Sequence, residues 1–87
     1  MNTRTLICKE DITRRAASDV CNILNRNTLN TNIYLKKQEE SRTINAKSLL
    51  GLLSLVLKKG DICELCVSDD RLDEIVESLN AYFEIVE

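Results

Sequence analysis

The chain has no histidine, no tryptophan and no proline, and it has two glycines. The missing histidine excludes the most. Without it there is no imidazole general base, no phosphohistidine and no histidine-ligated metal. Without tryptophan, and with Tyr34, Tyr82 and Phe83 as the aromatic residues, there is no platform for stacking RNA bases. The scarcity of glycine and proline excludes low-complexity linkers. No apolar run approaches the roughly 18 residues of a membrane span. No N-terminal stretch combines a charged start, a long apolar run and a cleavage site. The expected location is therefore cytoplasmic, with the thiols reduced. No cofactor, metal, membrane or nucleic-acid partner is expected.

What is present describes one small folded unit. The 87 residues, 44% of them apolar and 30% charged, fit a single domain over residues 1–87. The net charge of −2 hides an uneven distribution. Residues 1–68 carry 11 Lys/Arg against 7 Asp/Glu, whereas residues 69–87 carry 1 against 7. The basic part includes Arg14, Arg15, Lys47, Lys58 and Lys59. Such a surface steers an acidic or phosphorylated partner, or is an ordinary solvated face.

Periodicity predicts the elements. Residues 3–8 alternate as a strand with Leu6 and Cys8 on one face. Thr13 is a suitable N-cap for a helix from Arg14. Ala16, Ala17, Val20, Cys21 and Leu24 form its apolar stripe, and residues 25–27 end it. Residues 33–37 and 42–45 read as a hairpin, with Ile33, Leu35 and Ile44 inward. A second helix is expected over residues 46–57, with Ser48 or Asn45 near its start. Leu49, Leu50, Leu53, Val56 and Leu57 make its expected core stripe, and Leu52 and Leu55 broaden it. Gly60 suits the left-handed C-terminal position. Residues 62–67 read as a fourth strand. Asp69 or Asp70 is expected to cap a last helix with Leu72, Ile75, Val76, Leu79 and Phe83 inward. The order βαββαβα gives an α+β open-faced sandwich, a four-stranded antiparallel sheet covered on one face by three helices.

Three motifs raise functional questions. Cys63 and Cys66 match Cys-x-x-Cys, but residues three apart in a strand face opposite ways, which favours small buried thiols over a redox or metal pair. Ser48 at a helix start is either a cap or a phosphorylation site, with Lys47 adjacent. Arg14 and Arg15 occupy a helix first turn, the unfavourable end for positive charge, which suggests contact with an anion or carboxylate. The leucines after Ser48 exceed one buried stripe, so part of them is expected to form a docking patch.

Two segments carry a family resemblance. Residues 11–17, Asp-Ile-Thr-Arg-Arg-Ala-Ala, resemble the G-I-H-A-R-P-A of the histidine-containing phosphocarrier protein family, HPr. Residues 44–55, Ile-Asn-Ala-Lys-Ser-Leu-Leu-Gly-Leu-Leu-Ser-Leu, are similar to its V-N-x-K-S-I-M-G-V-M-S-L. With the flanking elements the resemblance spans nearly the whole chain. It implies an HPr-like fold and a link to the bacterial sugar phosphotransferase system. In that family the histidine takes a phosphoryl group from enzyme I and passes it to enzyme IIA. Its position here is Thr13, with Arg15 matching the family's arginine. A phosphothreonine is a stable ester, and no imidazole is present to activate the hydroxyl. The resemblance thus implies a degenerate active-site position at Thr13 and Arg15, and a protein that is neither an enzyme nor a histidine phosphocarrier.

The family's regulatory serine, phosphorylated by HPr kinase/phosphorylase, matches Ser48. Its phosphorylated form binds the catabolite control protein. The resemblance matches Leu49, Leu50 and Leu53 to the family's docking surface, and with the charged Arg14, Arg15 and Lys47 they are the expected partner-binding residues. A branch of the family, the catabolite-repression HPr-like protein, likewise lacks the histidine and keeps the serine. Three readings follow: a regulatory protein phosphorylated at Ser48, an unmodified module that competes with HPr for partners, or a residual carrier using Thr13 or a cysteine. An RNA-binding or ferredoxin-like module is disfavoured by the few aromatics and the acidic end.

Overall fold

Backbone periodicity decides which side chains meet. The structure, a computed structural model, describes residues 2–27 and 30–86. In β1 (Asn2–Cys8), Leu6 and Cys8 turn inward. β4 (Ile62–Val67) buries Cys63, Leu65 and Val67 and leaves Glu64 exposed on its opposite side. β2 (Ile33–Lys37) buries Ile33 and Leu35, and β3 (Thr43–Asn45) half-buries Ile44. These residues form one apolar sheet face, and the period of two puts Tyr34, Lys36, Glu64 and Cys66 on the other.

The helices close the apolar face. α1 (Arg14–Asn27) presents Ala16, Ala17, Val20, Cys21 and Leu24, all buried. The Thr13 hydroxyl caps it by accepting the Ala16 N–H at 3.3 Å. α2 (Leu49–Leu55) and α3 (Leu72–Ser78) complete the layer. Each fully buried Leu or Ile contributes about 1.5–3 kcal/mol relative to an exposed one.

The expected α+β sandwich is present, with one strand more than the sequence suggested. The last helix ends at Ser78, and Phe83–Ile85 form β5, hydrogen-bonded to β1. The sheet order is β3-β2-β4-β1-β5, antiparallel at every pairing. Phe83 is buried as expected, but from a strand. A tight turn carries the chain there, with the Phe83 N–H donating to the Leu79 carbonyl at 3.0 Å. Phe83 lies four residues after Leu79, so the turn keeps the helical spacing while the helix itself has ended.

α2 differs from expectation in length and in phase. It starts after Ser48, because Ala46 and Lys47 form a turn in which Asn45 Oδ1 accepts the Lys47 N–H at 2.9 Å. It stops at Leu55, because Val56 takes the left-handed conformation at φ 51° and ψ 62°. Gly60 also has a positive φ of 89°, but in the turn before β4, where its N–H donates to the Cys8 carbonyl at 2.9 Å. The buried residues of α2 are Leu52 and Leu55, each 1% exposed, with Leu57 just beyond. Leu50 is 81% exposed and Val56 58%, while Leu49 and Leu53 are half-buried. Leu50 and Val56 therefore lie outside the core that the sequence placed them in.

Gly51 explains the phase. A Cβ there would stand 3.2 Å from the Asn45 carbonyl oxygen and 3.4 Å from the Ile44 Cβ. The glycine thus faces β3 at close range, and the next residue, Leu52, and the one a turn on, Leu55, are carried into the core with it.

Asp69 ties the start of α3 to the start of β2. Its carboxylate accepts the Thr31 hydroxyl at 2.7 Å and the Arg71 N–H at 3.0 Å. These two donors, the Thr31 hydroxyl first, hold its pKa below the ordinary 3.8. The folded chain then binds fewer protons at this site than the unfolded chain. The stabilisation is present above the unfolded value and is lost as pH falls through the folded one. Asp69→Ala is expected to lower the melting temperature at pH 7, with the deficit shrinking as pH falls below 3.8. A deficit that stays constant across a thermal-denaturation series in pH contradicts this.

Candidate recognition site

Two ends of α1 gather the candidate residues. At its start, the Ile12 N–H donates to the Leu57 carbonyl at 2.9 Å, and Asp11 Oδ1 accepts the Lys59 N–H at 2.8 Å. These bonds hold the exit of α2 and the 58–60 turn against Thr13, Arg14 and Arg15, all exposed. Lys58 and Lys59 are exposed as well. The place is a basic corner with the exposed Val56 beside it. The sequence marked Lys58 and Lys59 as part of the basic surface but did not join them to Thr13, because the two stretches are 48 positions apart at Asp11 and Lys59.

Thr13 is occupied as a cap. Its hydroxyl accepts the Ala16 N–H, and its carbonyl accepts the Ala17 N–H at 2.8 Å. No imidazole exists in the chain to take its proton.

The other end of α1 meets Ser48. The Asn25 side-chain amide donates to the Cys21 carbonyl at 2.8 Å and to the Lys47 carbonyl at 3.2 Å. The Cys21 thiol approaches the Ala46 carbonyl at 4.0 Å. Ser48 is half-buried, and its Oγ accepts the Gly51 N–H at 3.1 Å. A side-chain cap of this kind contributes about 1 kcal/mol. Leu49 and Leu53 flank it half-buried, and Leu50 projects into solvent.

The two ends are distinct places. Arg15 and Asn25 are ten residues apart on α1, about 15 Å at the rise of an α-helix. Arg15 therefore lies by the exit of α2, whereas Ser48 lies by its entry.

Three of the four cysteines are buried. Cys63 and Cys66 point to opposite sheet faces, as the strand period required. The Cys63 thiol is held well above the ordinary range by its hydrogen bond with Cys8 and by burial. Burial also raises Cys21. Cys8, Cys21 and Cys63 are all in the core. Among the described residues, no helix is long and apolar enough to cross a membrane.

The fold defines a small open-faced α+β domain of three helices on an antiparallel sheet. A profile of the PTS HPr component, described by its phosphorylation site, matches residues 2–84, and the chain belongs to that HPr family of the phosphotransferase system. Its structure is similar to the phosphocarrier protein HPr of Bacillus anthracis, with 25% identity, a TM-score of 0.79, and 95% of this chain and 96% of that one covered. It is similar to the catabolite-repression protein Crh of Bacillus subtilis at 30% identity and a TM-score of 0.65, over 84% of this chain and 79% of that one. HPr-C-His of Thermoanaerobacter tengcongensis shares the fold at 23% identity and a TM-score of 0.75, over 93% and 89%. No sequence among curated proteins matches. The likeness supports a phosphotransferase-system role, as carrier or regulator, and proteins of this family act as phosphocarriers rather than enzymes.

Val56 is the strained point of the basic corner. A β-branched residue in the left-handed region is held there at a cost of about 1–2 kcal/mol. Its carbonyl accepts from Lys37 Nζ at 3.3 Å, which also pairs with Asp61 at 3.3 Å. Val56→Gly is expected to raise stability by about 1 kcal/mol in denaturant unfolding, because little of the side chain is buried. A variant less stable than the parent would show that the Val56 side chain holds the corner together.

Proposed function

We propose that the chain is a regulatory or interaction protein of the sugar phosphotransferase system, recognised by partners rather than carrying phosphate, with Ser48 as its modification site. The observation that carries this is the exposed Leu50 beside the half-buried Ser48. An 81%-exposed leucine does nothing for the core, and with Leu49 and Leu53 it offers apolar docking area. Lys47 lies next to the serine, and Arg14 and Arg15 extend the surface at the far end of α1. The absence of histidine argues against carrier chemistry, and the capping role of Thr13 gives its hydroxyl no general base.

In the regulatory reading, Ser48 Oγ attacks the γ-phosphorus of ATP on HPr kinase/phosphorylase. The bond to ADP breaks, ADP leaves, and the hydroxyl proton passes to the kinase or solvent. The phosphate oxygens replace the hydroxyl as acceptor for the Gly51 N–H. The phosphorylated surface is then read by a partner such as the catabolite control protein. A second reading rests on the same exposed leucines: an unmodified module that occupies the surface on enzyme I or enzyme IIA that HPr would use.

Incubation with HPr kinase, ATP and Mg²⁺ is expected to add one phosphate at Ser48, seen by mass spectrometry and absent in Ser48→Ala. Enzyme I with labelled phosphoenolpyruvate is expected to leave the chain unlabelled. No phosphate at Ser48 would sink the regulatory reading. Label on Thr13 or a cysteine would restore the carrier.

A further inference from the structure

The sheet edge farthest from α2 carries a second surface. β5 is an edge strand, paired on one side with β1. The pairing fixes which backbone groups are used. The Tyr82 carbonyl accepts the Lys9 N–H at 2.9 Å, and the Val86 N–H donates to the Thr5 carbonyl at 3.0 Å. Alternation along the strand then aims residues 82, 84 and 86 at β1. The N–H and C=O of Ile85 and the C=O of Phe83 point outward, along the edge. Among the described residues, no strand pairs with β5 on that side.

Beside that edge lies a groove of about 520 Å³ between α3 and β5. Val76, Phe83 and Ile85 supply its apolar lining, and Asp73, Glu77 and Glu84 its acidic rim. Arg4 pairs with Asp73 and neutralises it. Glu77 and Glu84 are exposed and have no ion-pair partner among the described residues. At the groove's end Lys9 Nζ is turned to the Asn80 carbonyl at 2.9 Å. Ile85 is 50% exposed, unusual for an isoleucine at a strand edge.

We propose that this groove takes an extended, basic segment of a partner protein as an added strand on β5. Main-chain bonds to Ile85 fix the segment, as in strand addition to other open edges. Alternate side chains of the added strand fall toward Val76 and Ile85, and lysine or arginine among its side chains meets Glu77 and Glu84. Charge decides the occupant. A second copy of this chain would bring its own Glu77 and Glu84 against these, and like charges disfavour that pairing. The site is independent of Ser48, since α2 packs at the opposite end of the sheet on β2 and β3. Its small size puts the contact in the weak, transient class.

The test is an NMR titration of the ¹⁵N-labelled chain with an acetylated, amidated peptide of alternating valine and lysine, and with its valine–glutamate counterpart. The lysine peptide is expected to give saturable shifts centred on Val76, Glu77, Glu84 and Ile85, weakening as salt rises. The glutamate peptide is expected to give none. Glu77→Lys with Glu84→Lys is expected to weaken the lysine peptide about tenfold or more, a loss of about 1.4 kcal/mol or more. Ile85→Pro, which removes the outward N–H together with the isoleucine side chain, is expected to weaken it without changing the charge. Equal response to both peptides, shifts outside the groove, or no shifts overturn the proposal. A dimer in sedimentation that Ile85→Pro abolishes overturns it as well, because the second copy is then the occupant.

Discussion

The close approach of α2 to β3 at Gly51 is the contact on which the surface of this protein depends. A side chain larger than hydrogen would meet the Asn45 carbonyl at 3.2 Å. With the glycine against the strand, Leu52 and Leu55 are carried inward and Leu50 outward. The same contact places Ser48 at the helix entry, where its hydroxyl accepts the Gly51 N–H. One small residue thus sets both the core layer and the exposed leucine beside the serine. Leu50 and Leu52 lie roughly 200° apart at 3.6 residues per turn, so exchanging their roles would take about half a turn of the helix.

α1 holds the two candidate places in register. Its entry is clamped to the exit of α2 through Ile12 and Leu57, and its exit to the entry of α2 through Asn25 and Lys47. The two helices therefore run antiparallel, with the basic corner at one end and Ser48 at the other. This spacing separates two surface features: positive charge from Arg14, Arg15, Lys58 and Lys59, and apolar area from Leu50. Neither needs transfer chemistry. The acidic edge at β5 is a third feature, opposite in sign and remote from both.

Much of this was legible in the sequence. The stripe Ala16, Ala17, Val20, Cys21 and Leu24 has one helical solution, and all five are buried. β2 and β4 alternate cleanly, so their inward residues followed from the period of two. α2 was not legible in phase. Seven of the nine residues from Leu49 to Leu57 are apolar, so no polar face betrays which side is out. The signal was Gly51, whose lack of a side chain marks the packed face. The end of α2 was hidden because a valine, not the glycine at position 60, takes the left-handed turn. β5 was hidden because Phe83 sits four residues after Leu79, a helical spacing that a turn also satisfies. The basic corner joins stretches far apart in the chain, and no local pattern encodes that. The site residues themselves came from the two matched segments, while their distance from one another came from the fold.

The orientation of α2 is tested most directly by the solvent accessibility of its leucine methyl groups. In a methyl-labelled sample with a soluble paramagnetic relaxation agent, Leu50 is predicted to relax strongly and Leu52 and Leu55 to be protected like Leu24 and Leu65. Strong relaxation at Leu52 or Leu55, with Leu50 protected, would contradict the account, because the surface beside Ser48 would then be a different one.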